Sequence, residues 1–439
     1  MLNSLVLNSS VGRSKLAVKL RRDARSGQAV EFPSRDSDEG RLLYRITRLA
    51  ALVHDLGHGP LSHTFDSFAP TRDSLRSVLN DPALSALAPF RELLAEWGMS
   101  SAGPEAAKNR RVPHEVMSCV FFAKIWRDLR LDDFTVRAVC TAILGDHAES
   151  LTGDENLRTW GPLIHDIVAS APADADRMDY MERDSRSIGV TYGLFDRNRV
   201  LKSLLCYRDD GSGYPCYRLG IKQSGLKAIE NLLQARYELF AQIYYHKTNR
   251  AVSRMLEAVA KIANEELDIF DPSTHLVADW VGVYLDLGDE QFMRLLRGQC
   301  KLEMPAPIMR LGAQIADRQL WKRVLDPTAG KEADRVLATL HQEFPALGVT
   351  IQLDRNGPNA LKDLDKGAPL LIRNGDGVYE AVRRRPWSSE SAIIAALEEA
   401  DKQFVRIYFD SSDKSMAKVL RNRALKLVFD AREEVHVAS

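Results

Sequence analysis

Residues 54–66 read H-D-L-G-H-G-P-L-S-H-T-F-D, which places three histidines and two aspartates within thirteen positions. Imidazoles and carboxylates are the ligands a hard or borderline divalent cation takes, and imidazoles also move protons near neutral pH. His54 and Asp55 are adjacent, His58 follows one turn on, and His63 and Asp66 are three apart. A cation held by His54 and Asp55 alone would be loose, so a distant carboxylate is needed. The stretch A-D-A-D-R-M-D-Y-M-E-R-D at 173–184 supplies one. Asp176, Tyr180 and Asp184 recur every four residues and share one helical face, flanked by Arg177 and Arg183. The aspartates crowded on that helix repel one another unless cations sit among them.

The surrounding residues predict the elements that hold these groups. Leu42, Ile46, Leu49 and Val53 have helical spacing, which sets His54 and Asp55 at the end of a buried helix. Gly57, Gly59 and Pro60 break that helix and turn the chain back, so that His63 and Asp66 start a second helix facing the first. Pro113 is a good first-turn residue, so His114 and Glu115 open another helix. A long helix over 223–266 brings Arg236, Tyr244 and Lys247 within roughly 80° of one another at 100° per residue. Such a face suits a phosphate chain and a sugar edge. Residues 206–220 carry the turn punctuation and flanking aromatics of a hairpin.

After about residue 305 the texture changes. Short β-rich runs at Val349–Leu353, Pro369–Arg373 and Val405–Phe409 alternate with helices at 330–343, 389–400 and 413–424. The expected architecture is mainly α: a helical body over 1–300 that carries the site, and a smaller α+β lobe over 301–439. Residues 20–40 read as a polar loop and Asp271-Pro272 as a helix boundary. His165-Asp166 reads as structural, Asp146-His147 as a helix cap, and Arg383–Arg385 as a solvated face.

Lys+Arg and Asp+Glu number 60 each among 439 residues, so no global field draws in nucleic acid. Any polyanion binding must come from local patches. The five cysteines are scattered without a CxxC pair, which argues against a disulfide framework or a thiolate metal site and fits a reducing cytosol. No apolar run is long enough to span a membrane. Arg13, Lys15 and Lys19 interrupt the N-terminal apolar residues before a signal-peptide core can form. A soluble cytoplasmic protein with no membrane partner is expected.

Together these motifs resemble the HD-domain phosphohydrolases. More closely they resemble the deoxynucleoside triphosphate triphosphohydrolases, dGTPase-like and SAM-and-HD-domain-like, here without a SAM domain. The resemblance is carried by H-D-L-G-H-G-P-x-S-H-x-x-D at 54–66, H-E at 114–115 and D-R-M-D-Y-x-x-R-D at 176–184. It continues in Y-G-x-F-D at 192–196, in Arg236 through Tyr244 to His246-Lys247, and in F-V-R-I-Y at 404–408. It implies that His54, Asp55 and Asp176 hold one divalent ion (Mn, Fe, Zn or Mg). It implies that His58 and His114 touch a triphosphate, and that His63, oriented by Asp66, handles the proton at the 5′-oxygen. Arg177, Arg236 and Lys247 would engage phosphates, Tyr180 and Asp184 the sugar 3′-hydroxyl, and Tyr244 the place of a 2′-hydroxyl. The implied reaction is attack of water on the α-phosphorus of a dNTP, releasing deoxynucleoside and triphosphate. The same likeness implies a homo-oligomer, with Arg199 near an effector site.

The chain departs from the family at its start. Ser9 stands where the family has a fourth metal-ligating histidine, and Val6 where it has an arginine. A serine hydroxyl is a poor ligand for a divalent ion. The expectation is an enzyme fold with a compromised metal site, in a chain either diverged or shortened at its start. The competing expectation is a catalytically degenerate nucleotide-sensing or nucleic-acid-binding protein. An HD phosphodiesterase acting on a cyclic nucleotide or nucleic acid is disfavoured by the G-H-G-P-x-S-H element.

Overall fold

A computed structural model describes residues 24–96, 111–130, 132–145, 153–170, 172–211, 214–266, 287–299, 304–328, 330–355, 360–361, 364–375, 378–381, 386–401, 405–410 and 413–438. Val6, Ser9, Asp146-His147, Asp271-Pro272 and Arg383–Arg385 lie outside the described residues. Helices dominate, as the periodicity predicts. No helix among the described residues is long and apolar enough to cross a membrane.

The helices that build the site follow their end signals. Helix α1 (Asp38–Val53) starts at Ser37, whose side chain accepts a hydrogen bond from the Gly40 amide at 3.0 Å, and Asp38 and Glu39 sit at its positive end. Its buried stripe is Leu43, Ile46, Thr47 and Ala50, with Leu42, Leu49 and Val53 only half-buried. The apolar run therefore predicts the helix correctly but places its inner face slightly to one side. Helix α2 (His114–Asp128) is buried without interruption from Val116 to Ala123. Helix α3 (Asp133–Leu144) is capped by Asp132, helix α4 (Glu155–Ala169) by Asp154, and helix α5 (Ala175–Ile188) by Asp174. Gly189 ends α5 in a left-handed conformation at φ 77°, which glycine adopts without strain.

The strands in chain order are β1 (Ala29–Val30), β2 (Leu204–Asp209), β3 (Cys216–Lys222), β4 (Lys322–Thr328), β5 (Ile351–Asp354), β6 (Leu370–Arg373), β7 (Tyr379–Ala381) and β8 (Val405–Phe409). The predicted hairpin is β2–β3, antiparallel from Leu204↔Ile221 to Asp209↔Cys216. It lies in a sheet of order β1-β2-β3-β6-β7, in which β6 runs parallel to β3 with Ile221 opposite Leu370.

The chain divides into two units, and the division differs from a single cut at residue 300. The first unit runs to Arg236 and takes in Lys362–Ile394; the second comprises Tyr237–Ile269, Gly288–Leu361 and Ala395–Ser439. The physical reason is strand pairing: β6 and β7, expected in a C-terminal lobe, complete the first unit's sheet.

In the first unit, Asp166 on α4 is 2% exposed and grips β3. It accepts hydrogen bonds from Arg218 Nε at 2.8 Å, Arg218 Nη2 at 2.9 Å and the Leu219 amide at 2.9 Å. The His165-Asp166 pair is thus structural, as its context predicts. Breaking a buried charged pair by removing one partner destabilises by about 3–5 kcal/mol. Asp166→Ala is therefore expected to lower the thermal unfolding midpoint by several degrees, read by differential scanning calorimetry. A midpoint within one degree of wild type would show that this grip is not holding the sheet.

In the second unit the antiparallel sheet β4-β8-β5 is covered by helices over Gly330–Glu343 and Lys414–Ala438. Val324, Val336, Leu340, Ile351, Ile407, Leu420 and Ala424 form its core. Arg250 holds the buried Asp354 through bonds of 2.9 and 2.7 Å. The single long helix expected over 223–266 is broken. Helix α6 (Leu226–Leu239) passes into a π-turn at Phe240–Tyr244, and helix α7 (Lys247–Glu266) restarts beyond Tyr245-His246. A π-turn inserts a residue into the helical count, and the break resets direction. The reading that put Arg236, Tyr244 and Lys247 on one continuous face is therefore corrected.

Candidate functional site

His54 caps the C-terminal end of α1, its amide donating to the Ala50 carbonyl at 2.9 Å. Its ring Nδ1 bonds the Ala51 carbonyl at 3.0 Å, which turns Nε2 inward. That Nε2 lies 3.4 Å from Asp55 Oδ1 and 3.4 Å from Asp176 Oδ1, and is buried without a hydrogen-bond partner. A ring fixed through one nitrogen with the other left bare is how proteins present histidine to a metal. The three residues offer ligand atoms close enough to share one ion. Imidazole plus two carboxylates suits a hard or borderline divalent cation. Burial alone would lower the pKa of His54, but the neighbouring carboxylate of Asp176, with the charge of Asp55, holds it at about 9. Asp176 is shifted the other way: His54, Arg177 and Arg236 outweigh its burial and lower it.

The turn after the H-D pair is held by a residue that motif reading passed over. Ser118 on α2 accepts from the Gly57 amide at 2.8 Å and donates to the His54 carbonyl at 2.5 Å. The approach demands glycine at 57, since a Cβ there would stand 2.0 Å from the His114 carbonyl oxygen and 2.4 Å from the Ser118 amide. Ser118→Ala removes both of these hydrogen bonds, costing about 0.5–1.5 kcal/mol each. The variant is expected to unfold at lower temperature and to retain less metal after dialysis, measured by elemental analysis. Wild-type metal retention would show that the turn keeps its shape without the clamp.

His63 and Asp66 do not start a long helix. They lie on a 3₁₀ turn, Ser62–Ser67, entered through left-handed backbone at Leu61 (φ 62°) and Ser62 (φ 57°). This brings His63 against the other two rings. The His58 and His114 rings stack with centroids 3.8 Å apart, while His63 stands edge-on at 4.6 Å from His58 and 5.2 Å from His114. Their protonation is split. Burial, reinforced by the neighbouring rings, pulls His58 and His114 down to about 4. The hydrogen bond to Asp66, whose Oδ2 lies 3.4 Å from His63 Nδ1, raises His63. Titratable neighbours pushed apart in this way take different roles in acid–base chemistry. Glu115, behind His114 at 3.5 Å, is raised by burial.

The α5 face behaves as its spacing predicts for Asp176, Arg177 and Tyr180, and Asp184 lies one turn further along, half-buried. Arg177 pairs with the buried cap Asp174, whose pKa burial raises to about 6. Burial pushes the Tyr180 phenol up to about 12 against the pull of Arg236 and Arg177. Arg236 is 9% exposed and its charge is disfavoured by burial. Arg183 does not join them: it turns to solvent and pairs with Asp179. Tyr244 and Lys247 belong to the second unit.

There Lys247 lines a cavity of about 400 Å³ together with Arg318, Lys322, Lys414, Lys418 and Arg421, beside Trp321 and Tyr408. Among the described residues the lining includes no carboxylate. Its cations come from three separate segments, so no single motif announces it. The spacing of Lys414, Lys418 and Arg421 at i, i+4 and i+7 was the available signal.

Residues 195–351 match the HD associated region family. Among solved structures the chain is similar to a hypothetical protein from Aquifex aeolicus, with TM-score 0.56 and 21% identity over 86% of this chain and 79% of that one. A phosphohydrolase from Bacteroides thetaiotaomicron matches with TM-score 0.53 and 17% identity over 93% and 84% of the two chains. Both are likenesses of fold. An uncharacterized protein of Methanocaldococcus jannaschii is 28% identical over 52% of this chain and 36% of its own length. The deoxynucleoside triphosphate triphosphohydrolase SAMHD1 homolog of Dictyostelium discoideum is 25% identical over 52% and 35%. The chain thus spans little more than a third of the length of these curated relatives.

Proposed function

We propose that this protein is a metal-dependent phosphohydrolase that splits a deoxynucleoside triphosphate into deoxynucleoside and triphosphate. The observation that carries the reading is the meeting of two groups: His54, Asp55 and Asp176 on one side, and His58, His63, Asp66 and His114 on the other, joined at Asp55. His54, Asp55 and Asp176 would hold a divalent ion, which would supply charge neutralisation and lower the pKa of the attacking water. The chain's own residues do the rest. His58 and His114, uncharged at neutral pH, donate ring N–H bonds to phosphate oxygens without the cost of burying two cations. Arg177 and Arg236 offset the charge that builds on the phosphates in the transition state. Water attacks the α-phosphorus, the bond to the 5′-oxygen breaks, and protonated His63 gives that oxygen its proton while Asp66 stabilises the ring's charge. Tyr180 and Asp184 orient the deoxyribose.

The test is incubation of metal-loaded protein with each of the four dNTPs, with triphosphate and deoxynucleoside read by ion-exchange chromatography. Appearance of both in equal amounts is expected. Their absence, or release of inorganic phosphate or pyrophosphate instead, overturns the reading.

The carboxylate-free cavity in the second unit favours an accompanying reading: a nucleotide or nucleic-acid site. Clustered Lys and Arg beside aromatics suit phosphates and bases. Tight dNTP or single-strand binding by protein that performs no hydrolysis would make that binding role the principal one. An assembly of several copies, in the cytoplasm, belongs to the same proposal, and sedimentation velocity tests it.

A further inference from the structure

A second group of donors converges beside the first. His58, His63, Asp66 and His114 each offer one ligand atom within 4.8 Å of all the others, with contributions from the turn after α1, the 3₁₀ turn and the first residue of α2. We propose that these four residues form a second metal-ion site, distinct from the His54–Asp55–Asp176 cluster, which takes a borderline ion such as Zn²⁺ and switches hydrolysis off when filled. The switching half rests on the proposed phosphohydrolase reading; the binding half stands without it.

Three arguments support the site. The donor set, three imidazoles and one carboxylate, is of the kind that closes tetrahedrally on zinc. With zinc–ligand bonds of about 2.0–2.1 Å, tetrahedral ligand atoms stand about 3.3 Å apart, so the four groups need only side-chain rotations to close. The His58 Nδ1 is buried with no hydrogen-bond partner, a bare donor atom on a ring that belongs to the group. Access comes through His63, whose side chain is 74% exposed.

The chemistry of inhibition follows from what a ligated ring cannot do. Zinc takes a lone pair of His63, so the ring's acidic proton passes to solvent as the ion enters. No proton then remains on that nitrogen for the 5′-oxygen. His58 and His114, tied to the same ion, are withdrawn from phosphate.

The experiment titrates Zn²⁺ into metal-free protein in competition with a chromophoric chelator, for wild type, Asp176→Asn and the double variant His63→Ala with Asp66→Asn. Wild type is expected to bind two equivalents. Asp176→Asn should keep the equivalent at the histidine cluster, and the double variant should lose it. A single equivalent in wild type, or two in the double variant, overturns the site. Anomalous scattering at the zinc edge from wild-type crystals reads the same position without any substitution. For the switching half, Zn²⁺ added to Mn²⁺-loaded wild type should slow dNTP hydrolysis at least tenfold while the Mn²⁺ stays bound, with recovery on adding chelator. Slowing accompanied by Mn²⁺ release would overturn it. If no dNTP is hydrolysed under any condition, the phosphohydrolase reading fails while the stoichiometry still decides the site.

Discussion

Asp176→Asn is expected to abolish hydrolysis by emptying the metal cluster. Asp176 brings a carboxylate from α5 to the helix end that presents His54, 3.4 Å from its Nε2. Groups one shell further out already change metal affinity by about 10–100-fold, so losing a direct ligand should cost at least about 100-fold. Dialysed variant loaded with Mn²⁺ should then lose the equivalent held at the His54–Asp55–Asp176 cluster, read by plasma mass spectrometry, and turnover should fall to background. Wild-type metal content in the variant would show that Asp176 is not a ligand. A second readout needs no metal. With His54 held at about 9 in the fold against its ordinary 6.5, its stabilising contribution is complete below about pH 6.5 and fades as pH rises through 9. Since Asp176 is the principal cause raising that pKa, metal-free Asp176→Asn should show a flatter stability profile across that window, read by urea unfolding. An unchanged slope would break the link between the two residues.

His63→Ala should slow hydrolysis by about 10²–10⁴, the usual contribution of a positioned general acid, with the equivalent at the His54–Asp55–Asp176 cluster retained. Asp66→Asn separates positioning from chemistry. The Asp66 carboxylate is what raises His63, so its neutral amide lets the pKa of His63 fall. Because His63 must be protonated to act, kcat/KM declines as pH rises through that pKa. The declining limb of the variant's profile is therefore expected at lower pH than in wild type. A limb that stays in place while the rate falls would assign the proton to another group.

Much of the candidate site's placement was legible in the sequence because its residues sit where helices start and stop. The Leu42–Val53 run and the glycines after it place His54 and Asp55 at a helix end, and the i, i+4 spacing of Asp176 and Tyr180 gives their shared face. What escaped was tertiary. Ser118 is an unremarkable small residue in a buried apolar helix until the Gly57 amide and the His54 carbonyl arrive on its hydroxyl. The π-turn at Phe240–Tyr244 carries no glycine or proline to announce it, so periodicity ran straight through it. The return of β6 and β7 to the first unit depends on a parallel pairing between residues far apart in the chain, which local pattern does not encode. The cation-lined cavity likewise gathers residues from three segments.

The position of Asp55 has a consequence for how such a protein changes over time. One oxygen, Oδ1, stands 3.4 Å from His54, 3.6 Å from His58 and 3.8 Å from His114. Replacements at these four positions therefore share a partner, and their effects will not sum. A substitution at Asp55 itself disturbs all three rings at once. Such coupling narrows the accessible paths and makes the quartet prone to persist or disappear as a block.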